Sequence, residues 1–139
     1  MISVQKITTA ADLQKACAIR DEVFVQGQQV PALLEHEHDD VSHHFLALAD
    51  DVPAGAARWR RTEYGYKLER FAVLPVHRGK GIASAMVQAV IADLPADAGY
   101  VYLNAQLDAV SLYEKNGFAK TGEPFTEAGI QHYKMVRQA

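Results

Sequence analysis

The chain has one cysteine, Cys17. A lone thiol excludes a disulfide within the chain and fits a reducing compartment. No apolar run approaches the length of a membrane span. The opening Met1-Ile2-Ser3-Val4-Gln5-Lys6 lacks the plan of a secretory signal. A soluble cytoplasmic protein with no membrane partner is therefore expected. Nor is there a basic excess: 14 Lys and Arg against 17 Asp and Glu leave a formal charge of −3, which argues against a nucleic-acid partner. The bases that exist are clustered, at Arg58, Arg60 and Arg61 and again at Arg78 and Lys80. A local positive rim on an acidic protein suits a small polyanion better than a duplex. No repeat, low-complexity tract or linker divides the 139 residues, so one domain over 1–139 is expected, large enough to bury a core without staples.

Hydrophobic patterning predicts the elements. Ile2 to Ile7 alternates as a half-buried strand does, and Thr9-Ala10-Ala11-Asp12 starts a helix that runs to about Val25. Leu13, Ala16, Cys17, Val23 and Phe24 form its apolar stripe, with Arg20 on the same stripe. Phe45 to Ala49, Ala54 to Arg61 and Lys67 to Leu74, joined by Asp50-Asp51 and Glu63-Tyr64-Gly65, predict an antiparallel meander. A helix from Gly81 to Leu94 and a strand at Tyr100 to Leu103 come next. A second helix spans about Ala109 to Asn116, stopped by Gly117. Phe118 to Lys120 and Ile130 to Val136 close as a hairpin. The class is α/β, a mixed and mostly antiparallel sheet with helices on both faces.

The most informative stretch is Val73-Leu74-Pro75-Val76-His77-Arg78-Gly79-Lys80-Gly81-Ile82-Ala83-Ser84-Ala85. An apolar strand stops at a proline, two glycines follow with bases beside them, and a long apolar helix begins. Strand, glycine turn and helix N-terminus in that order point unpaired N–H groups and a positive helix end at one spot, which suits phosphate. Neither the Walker loop nor the dinucleotide fingerprint is complete here.

Arg78-x-x-Gly81-x-Ala83 resembles the coenzyme A pyrophosphate loop of the GNAT N-acetyltransferases. Ala109-Val110-Ser111-Leu112-Tyr113-Glu114-Lys115-Asn116-Gly117-Phe118 resembles a second block of that superfamily, A-x-x-x-Y-E-K-x-G-F. A third set is similar to its small ElaA-like and YjcF-like bacterial subfamily: Ile19-Arg20-Asp21-Glu22-Val23-Phe24-Val25-Gln26, Val30-Pro31, Asp39-Asp40, His44, Asn104-Ala105-Gln106 and Gly129-Ile130-x-His132. The resemblance covers nearly the whole chain. It implies the acyl-CoA N-acyltransferase fold and direct transfer of an acetyl group from acetyl-CoA, as cosubstrate, to a small-molecule primary amine. No metal is implied, and a homodimer is possible. Two alternatives stay open: a module that binds acyl-CoA without catalysis, or an acyltransferase using a longer acyl-CoA.

The resemblance also implies roles. Phe71, Ala72, Val73, Arg78, Gly79, Lys80, Gly81, Ile82, Ala83 and Ser84 would bind the cofactor, with the Val73 N–H aimed at the thioester oxygen and Tyr113 in the general-acid position. Asn104 would orient the acceptor amine or the pantetheine. Glu69, four residues before Val73, is expected on the same strand face as Phe71 and Val73. It is then a candidate base beside the acetyl site, or a salt-bridge partner of Arg58 or Arg60. Arg20, Phe24, His44 and His132 are the acceptor-side candidates, although Arg20 equally suits an ion pair with Glu35 or Asp40. Glu35-His36-Glu37-His38-Asp39-Asp40 carries metal-ligand types but no framing His pair or Cys, so it is expected to be a solvated loop. Cys17 is expected to be a small core residue.

Overall fold

The computed structural model describes residues 1–138. Strand β1 (Ile2–Lys6) leads to helix α1 (Ala10–Arg20), whose N-cap Thr9 accepts a hydrogen bond from the Asp12 N–H at 3.2 Å. The helix continues as a π-helical turn, Asp21–Gln26, and after a loop comes the single turn α2 (Ala32–Glu35). Next are β2 (His43–Ala49), β3 (Val52–Arg61), β4 (Tyr66–Val73), α3 (Ile82–Asp93), β5 (Val101–Gln106), α4 (Val110–Lys115), β6 (Phe118–Glu127) and β7 (Ile130–Arg137). The strands form one sheet in the order β1-β2-β3-β4-β5-β7-β6, antiparallel throughout except where β4 meets β5. The meander is as expected. The closing hairpin is longer than Phe118–Lys120 indicated, because β6 bulges between Thr121 and Phe125 and resumes pairing to Glu127.

Helices cover both faces. On one, Ala16, Ile19 and Val23 pack on Leu46, Ala56 and Ala72. On the other, Met86, Val87 and Val90 of α3 pack on Phe45, Ala47, Ala57, Trp59 and Leu68. The run Ala54-Gly55-Ala56-Ala57 lets both layers approach β3. A Cβ on Gly55 would lie 3.1 Å from the Met86 Cε and 3.0 Å from the Ala72 carbonyl. Cys17 is only half-buried and lies outside both clusters, a correction to its expected core role.

Two irregularities in β4 position the site. The first is a bulge: Arg58 pairs with Glu69 and Ala56 with Ala72, so Arg70 and Phe71 together oppose Ala57, and Arg70 takes φ 59°. An extra residue reverses the alternation beyond it. Leu68, Phe71 and Val73 therefore share the α3 face, whereas Ala72 faces α1. Glu69 alternates with Leu68 and lies on the α1 face, opposite to the expected one. The second irregularity is at the strand's other edge. The β4–β5 ladder holds only from Tyr66↔Val101 to Leu68↔Leu103, after which the two strands part.

A charge network fills the α1 face beside this parting. Glu69 accepts from Arg58 Nη2 at 2.8 Å and from Arg60 Nε at 2.6 Å, and Lys67 Nζ is 3.3 Å away. Arg20 holds the Glu35 carboxylate with Nε at 3.0 Å and Nη2 at 2.8 Å, while its Nη1 lies 2.9 Å from Asp39. Arg58 also donates to Asp39. Arg70 donates to the Glu35 and Leu34 carbonyls at 3.0 and 2.9 Å. The acidic segment is thus only partly the solvated loop expected: Glu37, His38 and Asp40 are exposed, but Glu35 is 1 % exposed and Asp39 is drawn into the ion pairs. Burial opposes ionisation of Glu69, but Arg58, Lys67 and Arg60 outweigh it and hold the carboxyl at about 2.

A carboxyl with a depressed folded pKa contributes stability that is complete above the unfolded value, 4.5, and lost as pH falls through about 2. For Glu69 this is about 3 kcal/mol. Glu69→Gln should cost about 3–5 kcal/mol at neutral pH by stranding its cations, and the cost should shrink toward pH ~2.5. Urea unfolding across that range measures it. A cost independent of pH would mean that Glu69 is not held as the anion.

Candidate active site

The polypeptide leaves β4 at Val73, makes a short helical turn over Pro75–His77 and enters α3 through two glycines. Gly79 and Gly81 have φ of 79° and 83°, a region that side chains with a Cβ avoid. A Cβ at either would meet nothing within 4 Å, so it would project into the open space in front of the turn. The first helical hydrogen bond is Ala85 N–H to the Gly81 carbonyl at 3.1 Å. Ahead of it, the amides of Ile82, Ala83 and Ser84 have no acceptor among the described residues, and no side chain caps the helix. These donors border a hollow of about 220 Å³ with His77, Arg78 and Leu112. Free N–H groups, a helix N-terminus and an unfilled space match the requirements of a diphosphate. Lys80 lies outside that lining, with its ammonium 3.4 Å from His77.

A larger cavity, about 700 Å³, adjoins the hollow at Val73, Arg78 and Leu112. It occupies the gap between β4 and β5 and reaches both sides of the sheet. Phe71, Val73, Leu112 and Tyr113 line it on the α3 and α4 side. Phe24, Gln28, Val30, Leu34, Asn104, Gln106 and His132 line it toward α1 and α2.

The backbone of Val73 faces this cavity. Leu74 N–H bonds the Ala54 carbonyl at 2.9 Å, so Val73, one residue earlier and opposite Gly55, turns its N–H and C=O away from β3. The strand that would take them has already parted, and the carbonyl instead accepts from Arg78 Nε at 3.0 Å. Tyr113 is 7 % exposed, held edge-on by Phe71 and Phe118 at 5.9 and 6.2 Å. Burial pushes its phenol well above the ordinary value, so it stays protonated. The hydroxyl has no hydrogen-bond partner among the described residues and is not sealed from the cavity.

On the α1 side, Asn104 donates to Glu127 at 3.2 Å, and Gln28 and Gln106 exchange amide hydrogen bonds at 3.1 and 2.8 Å. Glu69 also touches the cavity here, but with its charge already matched by three cations. Its carboxylate is thus committed to this ion-pair network, the salt-bridge alternative expected with Arg58 or Arg60. Phe24 and His132 line the cavity as expected. Arg20 and His44 do not: Arg20 is 1 % exposed inside the ion-pair network, and His44 is buried with Nε2 2.9 Å from the Asp39 carbonyl. Burial lowers the His44 pKa, as suits a neutral internal ring. Sequence reasoning missed Gln28, Gln106, Leu112 and Glu127. Gln106 could have been found by alternation from Asn104; Glu127, at a hairpin turn, carried no signal.

Comparison with known proteins agrees with this architecture. Residues 6–139 match the profile of the Acetyltransferase (GNAT) domain. The chain is 39% identical over 131 residues to the uncharacterised N-acetyltransferase YjcF of Bacillus subtilis strain 168, covering 90% of this chain and 91% of that one. An acyl-CoA N-acyltransferase from Pseudomonas aeruginosa superposes with TM-score 0.81 at 26% identity, covering 99% of each chain. ElaA of Escherichia coli superposes with TM-score 0.80 at 23% identity, covering 99% of this chain and all of its own. A glycine turn opening α3, a parted pair of strands and a cavity through the sheet are thus joined by a profile match over nearly the full length, and the chain belongs to the GNAT acetyltransferase family, whose members transfer acyl groups from acyl-CoA.

Proposed function

We propose that this protein moves an acetyl group from acetyl-CoA directly to a small primary amine. The observation that carries the reading is the continuity of the cavity. It begins at the α3 turn, passes the Val73 backbone and the Tyr113 hydroxyl, and opens on the opposite side of the sheet. Donor and acceptor can therefore approach one point from two sides, which lowers the entropy cost of the encounter.

The amides of Ile82, Ala83 and Ser84 would hold the diphosphate, aided by the α3 dipole and the free end of Arg78. Charged hydrogen bonds of this kind contribute about 1.5–3 kcal/mol each. Acetyl-CoA supplies the activated acyl group when bound. The Val73 N–H, fixed in a strand before any substrate arrives, would donate to the thioester oxygen as negative charge develops there, and such donors contribute about 3–4 kcal/mol. The Tyr113 hydroxyl would donate its proton to the departing sulfur, a role for which a protonated phenol without an internal partner is equipped. Asn104 and Glu127 form the polar wall where an ammonium group would rest.

Gly81→Ala should weaken CoA binding by about tenfold or more in calorimetry, since it costs about 1–2 kcal/mol in backbone conformation and places a methyl group in the diphosphate space. An unchanged affinity would relocate the diphosphate. In a thiol-release assay over a panel of amines, Tyr113→Phe should lower kcat about a hundredfold. A fall below about threefold removes the general-acid role. Tight CoA binding by the wild type without thiol release on any amine would leave the non-catalytic reading standing.

A further inference from the structure

Transfer to an ammonium group needs a proton acceptor, because the protonated nitrogen has no lone pair. An effective base has a pKa near the working pH. Glu69, held at about 2 by its cations, is far from that. His132 is placed differently. Its Nδ1 lies 2.7 Å from the carbonyl oxygen of Ile130. A carbonyl only accepts, so the ring proton sits on Nδ1 and Nε2 carries the lone pair. Phe125 stacks on the ring at 5.8 Å and 22°, which fixes its plane. Pairing with Gln106 puts the ring on the acceptor side of the sheet, in the cavity wall.

His132 Nε2 makes no hydrogen bond among the described residues. It is also not closed in: the one side-chain polar atom both sealed and without a hydrogen bond among those residues is Arg20 Nη1, which has its ion-pair contact with Asp39 instead. His132 is thus 7 % exposed in the cavity wall, with an Nε2 that is neither sealed nor hydrogen-bonded among the described residues. The charged groups around that space are Glu127 before the hairpin turn, Asp108 before α4, Lys134 further along β7, Arg78 ahead of α3, and across the gap Lys67, Glu69, Arg70, Glu35 and Glu37. Glu127 and Asp108 favour a cation on the His132 side of the cavity. Lys67 and Arg70 oppose it from β4.

We infer that His132, through Nε2, takes the proton of the acceptor ammonium. The inference rests on the acetyl-transfer reading above. The ammonium gives one proton to His132 Nε2 and becomes the amine. Its nitrogen then bonds to the acyl carbon as the carbon–sulfur bond breaks, and the Tyr113 hydroxyl protonates the sulfur. The second proton lost by nitrogen restores the phenol, and His132 releases its own to solvent when the amide leaves. The sum is one amide, one free thiol and one proton from one ammonium and one thioester.

The test compares wild type and His132→Gln in kcat/KM from about pH 5 to 9, with melting temperature and CoA affinity as controls. The wild type should lose activity toward acid along a single-proton limb. His132→Gln should lower kcat/KM about a hundredfold at neutral pH and abolish that limb, with both controls unchanged. A variant that keeps the limb, or loses less than about tenfold, overturns the inference. A long-range proton–nitrogen NMR spectrum of the histidine rings gives a second readout that needs no acceptor. It should show His132 protonated at Nδ1, and protonation at Nε2 instead overturns the inference whether or not any amine reacts. Wild-type failure on every amine would instead count against the acetyl-transfer reading.

Discussion

The parallel ladder between β4 and β5 lasts from Tyr66↔Val101 to Leu68↔Leu103, and the facing edges beyond it go unpaired. Buried backbone groups ordinarily find partners within a sheet, so an interrupted ladder leaves donors and acceptors facing a gap. Here the gap is the cavity, and the Val73 backbone is its clearest instance. β5 can leave β4 because it is secured on its other edge by β7, through Tyr102↔Val136 to Gln106↔His132. β4 is likewise secured by β3. A sheet held firmly on both sides of an opening keeps that opening without filling it.

The bulge at Arg70 determines what each side of the opening offers. Because alternation reverses there, Phe71 and Val73 are presented toward α3 and α4, where Tyr113 stands, while Glu69 and Lys67 are presented toward α1. The latter side is braced by Arg20, Arg58 and Arg70 bound to Glu35, Asp39 and the α2 carbonyls. Removing one member of a buried ion pair costs more than the pair contributes. The network therefore ties α1, α2 and β4 together and fixes one wall of the cavity. Arg20 and Glu69 stand out in the sequence as charges among apolar residues, and in the fold both are held in the ion pairs of this wall.

Much of this is legible in the sequence. The meander, the two covering helices and the glycine turn followed from hydrophobic period and breaker residues, because those signals are local. Tyr113, Phe24 and His132 reach the cavity as expected, and Asn104 does so from the end of β5. The face that strict alternation predicts for Glu69 is the wrong one, because alternation assumes an unbroken ladder and nothing in Leu68-Glu69-Arg70-Phe71 announces the bulge. His44 was misplaced for a related reason. Its partner is the carbonyl of Asp39, brought close by a loop whose path depends on the ion pairs of Asp39 with Arg20 and Arg58.

The amino-acid order by itself determined the family, the mixed sheet with its layers, and the glycine turn at Gly79 and Gly81 that opens α3. Each of these is written in neighbouring residues and needs no distant contact. Only the folded chain decided which side of the sheet each β4 residue faces, that Glu35, Asp39 and Glu69 are paired with arginines, and that His132 stands in the cavity wall with Nε2 unbonded among the described residues. Those outcomes depend on where strands pair, slip and part, and such pairings join residues tens of positions apart.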